Sequence, residues 1–590
     1  MVVSAPTIES INPANQSVVG RVPVMSGSQV EEAVKRATTT FETWQLTSLK
    51  RRMKLAAKLR SIIATRADEI ARLISEETGK PLPEAYLSEL SGPLDTCQWL
   101  SENLEKLLTD QMVTLTNPLL SSKQSVIAFE PLGVVGIISP WNYPFSIPMM
   151  TAIMAVMVGD TVVIKPSEKS PLVGLKIGEL FIEAGFPPSA VEIVTGDRTT
   201  GAHLSLCNLA KLIFTGSVHG GEAVMEQASK RLTPVTLELG GKDAAIVMPD
   251  APVEWTARGL VWGAFTNAGQ ACASIERVYI IKGKKTDKLV ENIVQLTRRL
   301  RLGSGLDPLT DVGALIDETQ LAKVESHVAD AVAQGARVLC GGKARRDLGG
   351  FFYEPTVLVD VKQDMTIMKE ETFGPVLPIM VVDNEDTAVD LANDSEYGLC
   401  ATVWGARLDR AECIARDLNV GTVLINDCLF SHATPQLPWG GLKKSGFGKG
   451  HSTFGLHDLC NIKHINIDAA GGAHRVWWYP YGRAKVKMAQ GGIQLLHGKI
   501  TKRTGGLVNF AYHMFIDGEK EKHAPQTADT KSKETKAAEA KSADAKAAEA
   551  KAAEAKSAEA KAADARPADA SLAETKGADS KADEKEKQSS

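Results

Sequence analysis

From residue 134 onward the chain alternates short apolar runs with helical stretches, and no other feature restricts its fold as much. The runs Val134–Ile138, 161–164, 211–214 and 235–237 are dominated by successive apolar residues, as strands buried on both faces require. Between them, 172–184 repeats apolar residues at helical spacing. Parallel strands need a long crossover, most often a helix, so the alternation predicts βαβ units and a sheet covered on both sides. A second region of the same kind runs from Ala244 to about Ile425. Upstream the period is helical. Ser28-Gln29-Val30-Glu31 reads as a capping box, followed by Val30, Ala33, Val34, Ala37 and Phe41 on one face, and a second amphipathic run over 49–74 stops near Gly79-Lys80-Pro81.

Length and charge narrow the class further. The 590 residues carry 67 Lys and Arg against 71 Asp and Glu, too many residues for one core and too even a balance for a general polyanion binder. Residues 531–590 hold 13 acidic and 13 basic side chains, no aromatic residue and the single Leu572, so the net charge of −4 belongs wholly to 1–530. The N-terminal Met-Val-Val-Ser-Ala-Pro lacks a basic segment followed by an apolar one, and a cytoplasmic location is expected. The most apolar stretch, 143–159, contains Pro144 and Pro148 and falls short of the roughly 20 apolar residues of a membrane span. Eight cysteines without a C-x-x-C or a Cys/His cluster predict neither disulfides nor a metal site.

Three motifs carry chemistry. Phe214-Thr215-Gly216-Ser217 ends an apolar run and is followed by Gly221 and a helical stretch; such a turn presents free N–H groups and a positive dipole to a phosphate, or is simply a turn. Leu237-Glu238-Leu239-Gly240-Gly241 places a carboxylate at an apolar strand end, where desolvation raises its pKa toward that of a general base; an ion-paired glutamate is the alternative. Phe265-Thr266-Asn267-Ala268-Gly269-Gln270-Ala271-Cys272 puts a thiol after a polar turn, with its sulfur exposed and its backbone N–H free.

Taken in this order, with Glu238 and Cys272 separated by 34 residues, these motifs resemble the aldehyde dehydrogenase superfamily. The resemblance extends over roughly 7–468 and includes Pro140-Trp141-Asn142-Tyr143-Pro144, Lys165-Pro166-Ser167-Glu168, Glu370-Glu371-Thr372-Phe373-Gly374-Pro375, Asn426 and Pro438-Trp439-Gly440-Gly441 with Lys443, Ser445 and Gly446. It implies an α/β aldehyde dehydrogenase-like fold with a Rossmann-like cofactor domain (1–115 and 132–240), an α/β catalytic domain (241–442) and a small β oligomerisation arm (116–131 and 443–468). It implies Cys272 as nucleophile, Glu238 as general base and Asn142 with the Cys272 N–H as oxyanion donors. For the cofactor it implies Lys165, Ser167 and Glu168 at the adenosine ribose, Gly216 and Ser217 at the pyrophosphate, and Glu371 at the nicotinamide ribose. Phe373 would flank the nicotinamide ring, and Trp141, Leu239 and Gly240 are further cofactor-binding residues that the resemblance implies. A carboxylate at Glu168 would accept from ribose hydroxyls and repel a 2′-phosphate, which favours NAD, with NADP as the alternative. Val218 stands where the family often has Thr, and Ser452 where Gly is common.

The resemblance also implies a small-molecule aldehyde substrate, no nucleic acid, and a homodimer or homotetramer. The stretch Tyr143-Pro144-Phe145-Ser146-Ile147-Pro148-Met149-Met150 predicts an apolar, adaptable substrate funnel, with Met149 and Met150 equally readable as core. A semialdehyde dehydrogenase is the alternative and would need a cation from near Arg277 or from 427–434; a non-catalytic scaffold is a further one. Between Asp468 and Asp517 there is no acidic residue, while Arg475, Arg483, Lys485, Lys487, Lys499, Lys502 and Arg503 are interleaved with Trp477, Trp478, Tyr479 and Tyr481. This basic aromatic extension (469–520) suits peripheral contact with a membrane through 475–515, or packing on its own dimer. The Lys/Ala/Glu repeat of 521–590 reads as a partly helical or disordered spacer.

Overall fold

The computed structural model describes residues 6–471, 475, 477–515 and 538–551, and the chain divides into two units at 469/470. The first unit is α/β. A six-stranded sheet has the order Gly446–Phe447, Val235–Glu238, Lys211–Thr215, Val134–Ile138, Thr161–Lys165, Val191–Ile193. Its last five strands are parallel, and the short Gly446–Phe447 strand runs antiparallel beside Glu238. The chain leaves Val134–Ile138 toward Thr161–Lys165 on one side and later returns to Lys211–Thr215 on the other. That reversal is a topological switch point, where open parallel sheets bind ligands at the carboxyl ends of their strands.

A seven-stranded sheet follows, in the order Arg337–Cys340, Thr356–Val359, Val376–Val382, Ile275–Ile281, Asp243–Val247, Cys400–Trp404, Thr422–Ile425. Its central strands are buried along their whole length, in keeping with the continuous apolar runs. A three-stranded sheet joins Gln111–Val113, Lys123–Pro131 and Cys460–Asp468, and the last of these pairs with its neighbour over all nine residues. Helix Ser146–Val158 has every residue buried except Thr151, and Met149 and Met150 are fully covered, so both methionines belong to the core.

Two helical expectations shift. The first helix is Gly27–Trp44, and its capping box uses Ser26 rather than Ser28: Ser26 accepts from the Gln29 N–H, and the Gln29 side chain accepts from the Ser26 N–H. A Gln three residues after the cap serves as well as a Glu. The run over 49–74 is two helices, Leu49–Thr65 and Ala67–Thr78. Arg66 at the break is tied to Glu69, Glu179 and Glu183. The second helix stops at Gly79, whose φ of 76° is left-handed, and Pro81 follows.

The second unit contains helices Arg483–His497 and Ile500–Phe515. They cross closely where a Cβ on Gly491 would lie 2.7 Å from the Phe510 nitrogen, which explains glycines within otherwise helical sequence. Residues 538–551 are helical and exposed throughout; the remainder of the repeat lies outside the described residues.

Candidate active site

Strand ends and the turns that follow them assemble the site. Trp141 and Asn142 follow Val134–Ile138, Gly216 and Ser217 follow Lys211–Thr215, and Glu238 ends Val235–Glu238. Cys272 lies between a short turn, Thr266–Gly269, and strand Ile275–Ile281. The double glycine after Glu238 lets the chain pass between two reactive groups. A Cβ on Gly240 would sit 2.6 Å from the Glu371 carboxylate, and one on Gly241 would sit 2.5 Å from the Cys272 carbonyl oxygen.

The turn before Cys272 is buried and pinned rather than open. Asn267 and Ala268 have φ of 52° and 55°. The Asn267 N–H donates to Glu84 at 2.7 Å, and the Gln270 side chain accepts from the Ile316 N–H at 2.9 Å. Cys272 itself is half-buried and lines two clefts. Burial, then the carboxylates of Asp243, Glu238 and Glu371, push its thiol well above the ordinary range, so it rests protonated. Glu238 is pushed up to about 7 by burial, against the opposing effects of the Gly450 backbone, the Lys449 ammonium and the Trp439 indole. That value suits reversible proton transfer near neutrality.

Asn142 is buried, and its side-chain NH₂ points to the Cys272 loop, donating to the Gln270 carbonyl at 3.1 Å. Its own backbone carbonyl accepts from Lys80 Nζ at 2.8 Å and from Asn267 Nδ2 at 3.1 Å. Lys80 is fully buried, pairs with Glu89 at 2.6 Å and stands 3.8 Å from the Tyr143 ring centroid. Glu89 in turn accepts from the N–H groups of Phe145 and Ser146 at the start of the buried helix. Sequence reasoning read Lys80 only as part of a helix stop and passed over Glu89. Their signal was an opposite-charge pair nine residues apart, while the backbone groups they hold, Asn142, Phe145 and Ser146, lie more than 50 residues away.

One of the two clefts at Cys272 is lined by Trp141, Gly216, Ser217, Leu239, Gly240 and Phe373, among others. Ser217 caps helix Val218–Ser229, accepting from the Gly220 N–H, so the helix start opens toward the cleft. Trp141 and Phe373 meet edge to face at 5.5 Å. Glu371 accepts from the Gly241 N–H at 3.0 Å and is pushed up to about 7, first by burial and then by Glu276. Glu276, another residue missed from sequence, holds the wall in place: it accepts from the N–H groups of Thr372 and Phe373 and pairs with buried Lys242 at 2.6 Å. Lys165, Ser167 and Glu168 lie at the neighbouring strand end, outside the cleft that holds Cys272; Lys165 and Glu168 are 3.6 Å apart, with the Glu168 side chain 42% exposed.

On the opposite side of Cys272 a funnel of about 310 Å³ is lined by Leu87, Tyr143, Ile147, Trp262, Leu429 and Phe430, with Asp95, Ser88, Ser91 and His432 among its polar members. Burial lowers His432 to about 4, so its ring is neutral. Segment 427–434 thus reaches the funnel, but Arg277 does not: it is buried and donates to the backbone carbonyls of Lys242, Leu391 and Ala392.

Comparison with known proteins agrees with this geometry. The model of the aldehyde dehydrogenase family matches residues 2–465. The NADP(+) succinate-semialdehyde dehydrogenase of Escherichia coli strain K12 is 36% identical over 462 residues, spanning 78% of this chain and 94% of that protein. The 4,4'-diapolycopene aldehyde oxidase of a Methylomonas species is 33% identical over 493 residues, spanning 84% and 92%. Among solved structures, the NAD+ complex of a Mycobacterium tuberculosis aldehyde dehydrogenase superposes with a TM-score of 0.75 at 32% identity, covering 80% of this chain and 96% of that one.

Proposed function

The chain belongs to the aldehyde dehydrogenase family, NAD(P)-dependent oxidoreductases acting on aldehydes, and from that premise we propose a course for its reaction and a class of substrate. The Cys272 thiol passes its proton to water as its sulfur adds to the aldehyde carbon, a step that leaves Glu238 ionised. The Asn142 amide, released from Gln270, and the Cys272 N–H then hold the oxyanion of the thiohemiacetal. A nicotinamide held beside Glu371 and Phe373 would accept the hydride, leaving a thioester on Cys272. Water, deprotonated by Glu238, hydrolyses that thioester to the carboxylic acid. The observation that carries this reading is that Cys272 lines both clefts, one beside Glu238, Glu371 and Phe373 and the other beside Tyr143 and Trp262.

The residues present suit a dinucleotide. A capped helix start faces the cleft, and of the two carboxylates we assign to the riboses, Glu371 lines that cleft while Glu168 lies at the neighbouring strand end. Glu168 favours NAD over NADP by repelling a 2′-phosphate. We assign 1–115 and 132–240 to the cofactor, 241–442 to catalysis, and 116–131 with 443–468 to an oligomerisation arm. Strand Cys460–Asp468 supports the last assignment, because it is a long edge strand with exposed Ile462, Ile465 and Ile467, an open template for a second copy.

A neutral, apolar aldehyde fits the funnel best. The carboxylate of a succinate semialdehyde would enter a funnel whose lining includes no Lys or Arg and does include Asp95, and a buried unpaired charge is costly. The test follows NADH formation with medium-chain, aromatic and carboxylated aldehydes; a large advantage in kcat/KM for the carboxylated ones overturns the substrate reading. For the second unit we propose peripheral membrane contact from a cytoplasmic location, the latter in keeping with eight free cysteines. The support is the set of exposed Trp478, Tyr479, Tyr481, Val486, Ile493 and Val508 among seven cations and no acid.

A further inference from the structure

A third, smaller cavity also has Glu238 in its wall; it shares Thr215 and Glu238 with the cleft beside Glu371, and His432 and Trp439 with the funnel. Strand residues of one face line it, Lys211, Ile213 and Thr215 from one strand and Thr236 and Glu238 from the next, and the buried helix closes it with Ile147, Thr151 and Met154. Its volume of about 40 Å³ has room for roughly two waters. Asp458, also in its lining, accepts from Thr236 at 3.0 Å and pairs with Lys211 at 2.7 Å, with the Asp458 side chain 40% exposed. The cavity therefore leads from the base to a carboxylate that solvent reaches.

His451 forms another wall. Its side chain is buried, and its Nδ1 has no hydrogen-bond partner, an arrangement that native proteins rarely leave without water or function. The ring packs against His432 at 5.0 Å between centroids. The backbone there has φ 57° and ψ 179°, a conformation almost confined to glycine. A histidine that lines the cavity is held in a glycine's conformation, with one ring nitrogen unpartnered.

We propose that this cavity is the proton outlet of the hydrolytic step, with water ordered by His451 carrying the proton from Glu238 to Asp458 and so to solvent. The inference rests on Glu238 being the base. As the water oxygen bonds to the acyl carbon, its O–H bond breaks and the proton goes to Glu238. The C–S bond then breaks with its electron pair left on the Cys272 sulfur. Glu238 passes its proton to the cavity water, whose other hydrogen His451 Nδ1 accepts, and Asp458 receives the proton leaving the file. No group is oxidised or reduced in this step. His451 and Asp458 are positioning and relay residues, since neither touches the substrate.

The test is rapid mixing of aldehyde and NAD+ with the full-length wild type, His451→Gly, Asp458→Asn and Glu238→Gln. Glycine accepts the 451 backbone without strain, so His451→Gly is expected to melt no lower than the wild type. Both outlet variants are expected to keep the first-turnover burst of NADH and to lose about 10- to 100-fold in steady-state rate, with added imidazole restoring part of the loss in His451→Gly. Wild-type steady-state rates in both variants overturn the proposal, as does a parallel fall of burst and steady state. Glu238→Gln separates the two readings. If it stalls after the burst while the outlet variants do not, only the outlet fails; if it turns over fully, the base reading fails first.

Discussion

The proposed course assigns the chemistry to three side chains, Cys272, Glu238 and Asn142, and each can be removed alone. Cys272→Ala should abolish NADH formation while NAD+ still binds, measured by turnover and by cofactor titration. Asn142→Ala is expected to cost about 10²- to 10³-fold in kcat with little change in KM, as for an oxyanion donor. Glu238 acts as a base only when ionised, and burial holds it up to about 7. Hydrolysis should therefore rise with pH through about 7 and level off above, and a pH profile of Glu238→Gln should lack that limb. Cys272, Glu238 and Asn142 were legible in the sequence because each sits in a short motif with its own spacing. Lys80, Glu89 and Glu276 were not, because what defines them is a buried partner supplied by another part of the chain: Lys80 meets Asn142, and Glu276 meets Thr372 and Phe373. Periodicity sees none of these contacts.

Elements place those residues. The alternation of apolar runs disclosed the parallel strands, since buried strands of that kind need unbroken apolar sequence. It did not disclose their order, and so hid the switch point at which Trp141, Asn142, Gly216 and Ser217 converge. The capping box slipped by two residues because two serines precede Gln29 and only the backbone at Ser26 is extended. Helix Ser146–Val158 owes its position to the Lys80–Glu89 pair, which grips its first turn and the Asn142 carbonyl together. Lys80→Met leaves the Glu89 carboxylate buried without its cation and is expected to cost about 3–5 kcal/mol in urea unfolding. The double variant Lys80→Met/Glu89→Gln should recover part of that loss; a single variant no worse than the double one would show that the pair does not hold the helix.

At the scale of the molecule, a near-neutral chain conceals a segment with seven cations and no acid between Asp468 and Asp517. Deleting residues after 470 is expected to leave aldehyde oxidation intact and to abolish low-salt binding to anionic liposomes; equal binding by both forms would contradict the membrane reading. Ile465→Lys on the exposed edge strand should shift light-scattering mass toward the monomer if copies pair there. The proposed reaction passes through one covalent intermediate, and that intermediate can be weighed. Glu238→Gln mixed with a medium-chain aldehyde and NAD+, quenched in acid and analysed by peptide mass spectrometry, should carry the acyl group as a thioester on the peptide containing Cys272. An unmodified Cys272 peptide from a variant that turns over at the wild-type rate, or an acyl group on another residue, would contradict the account.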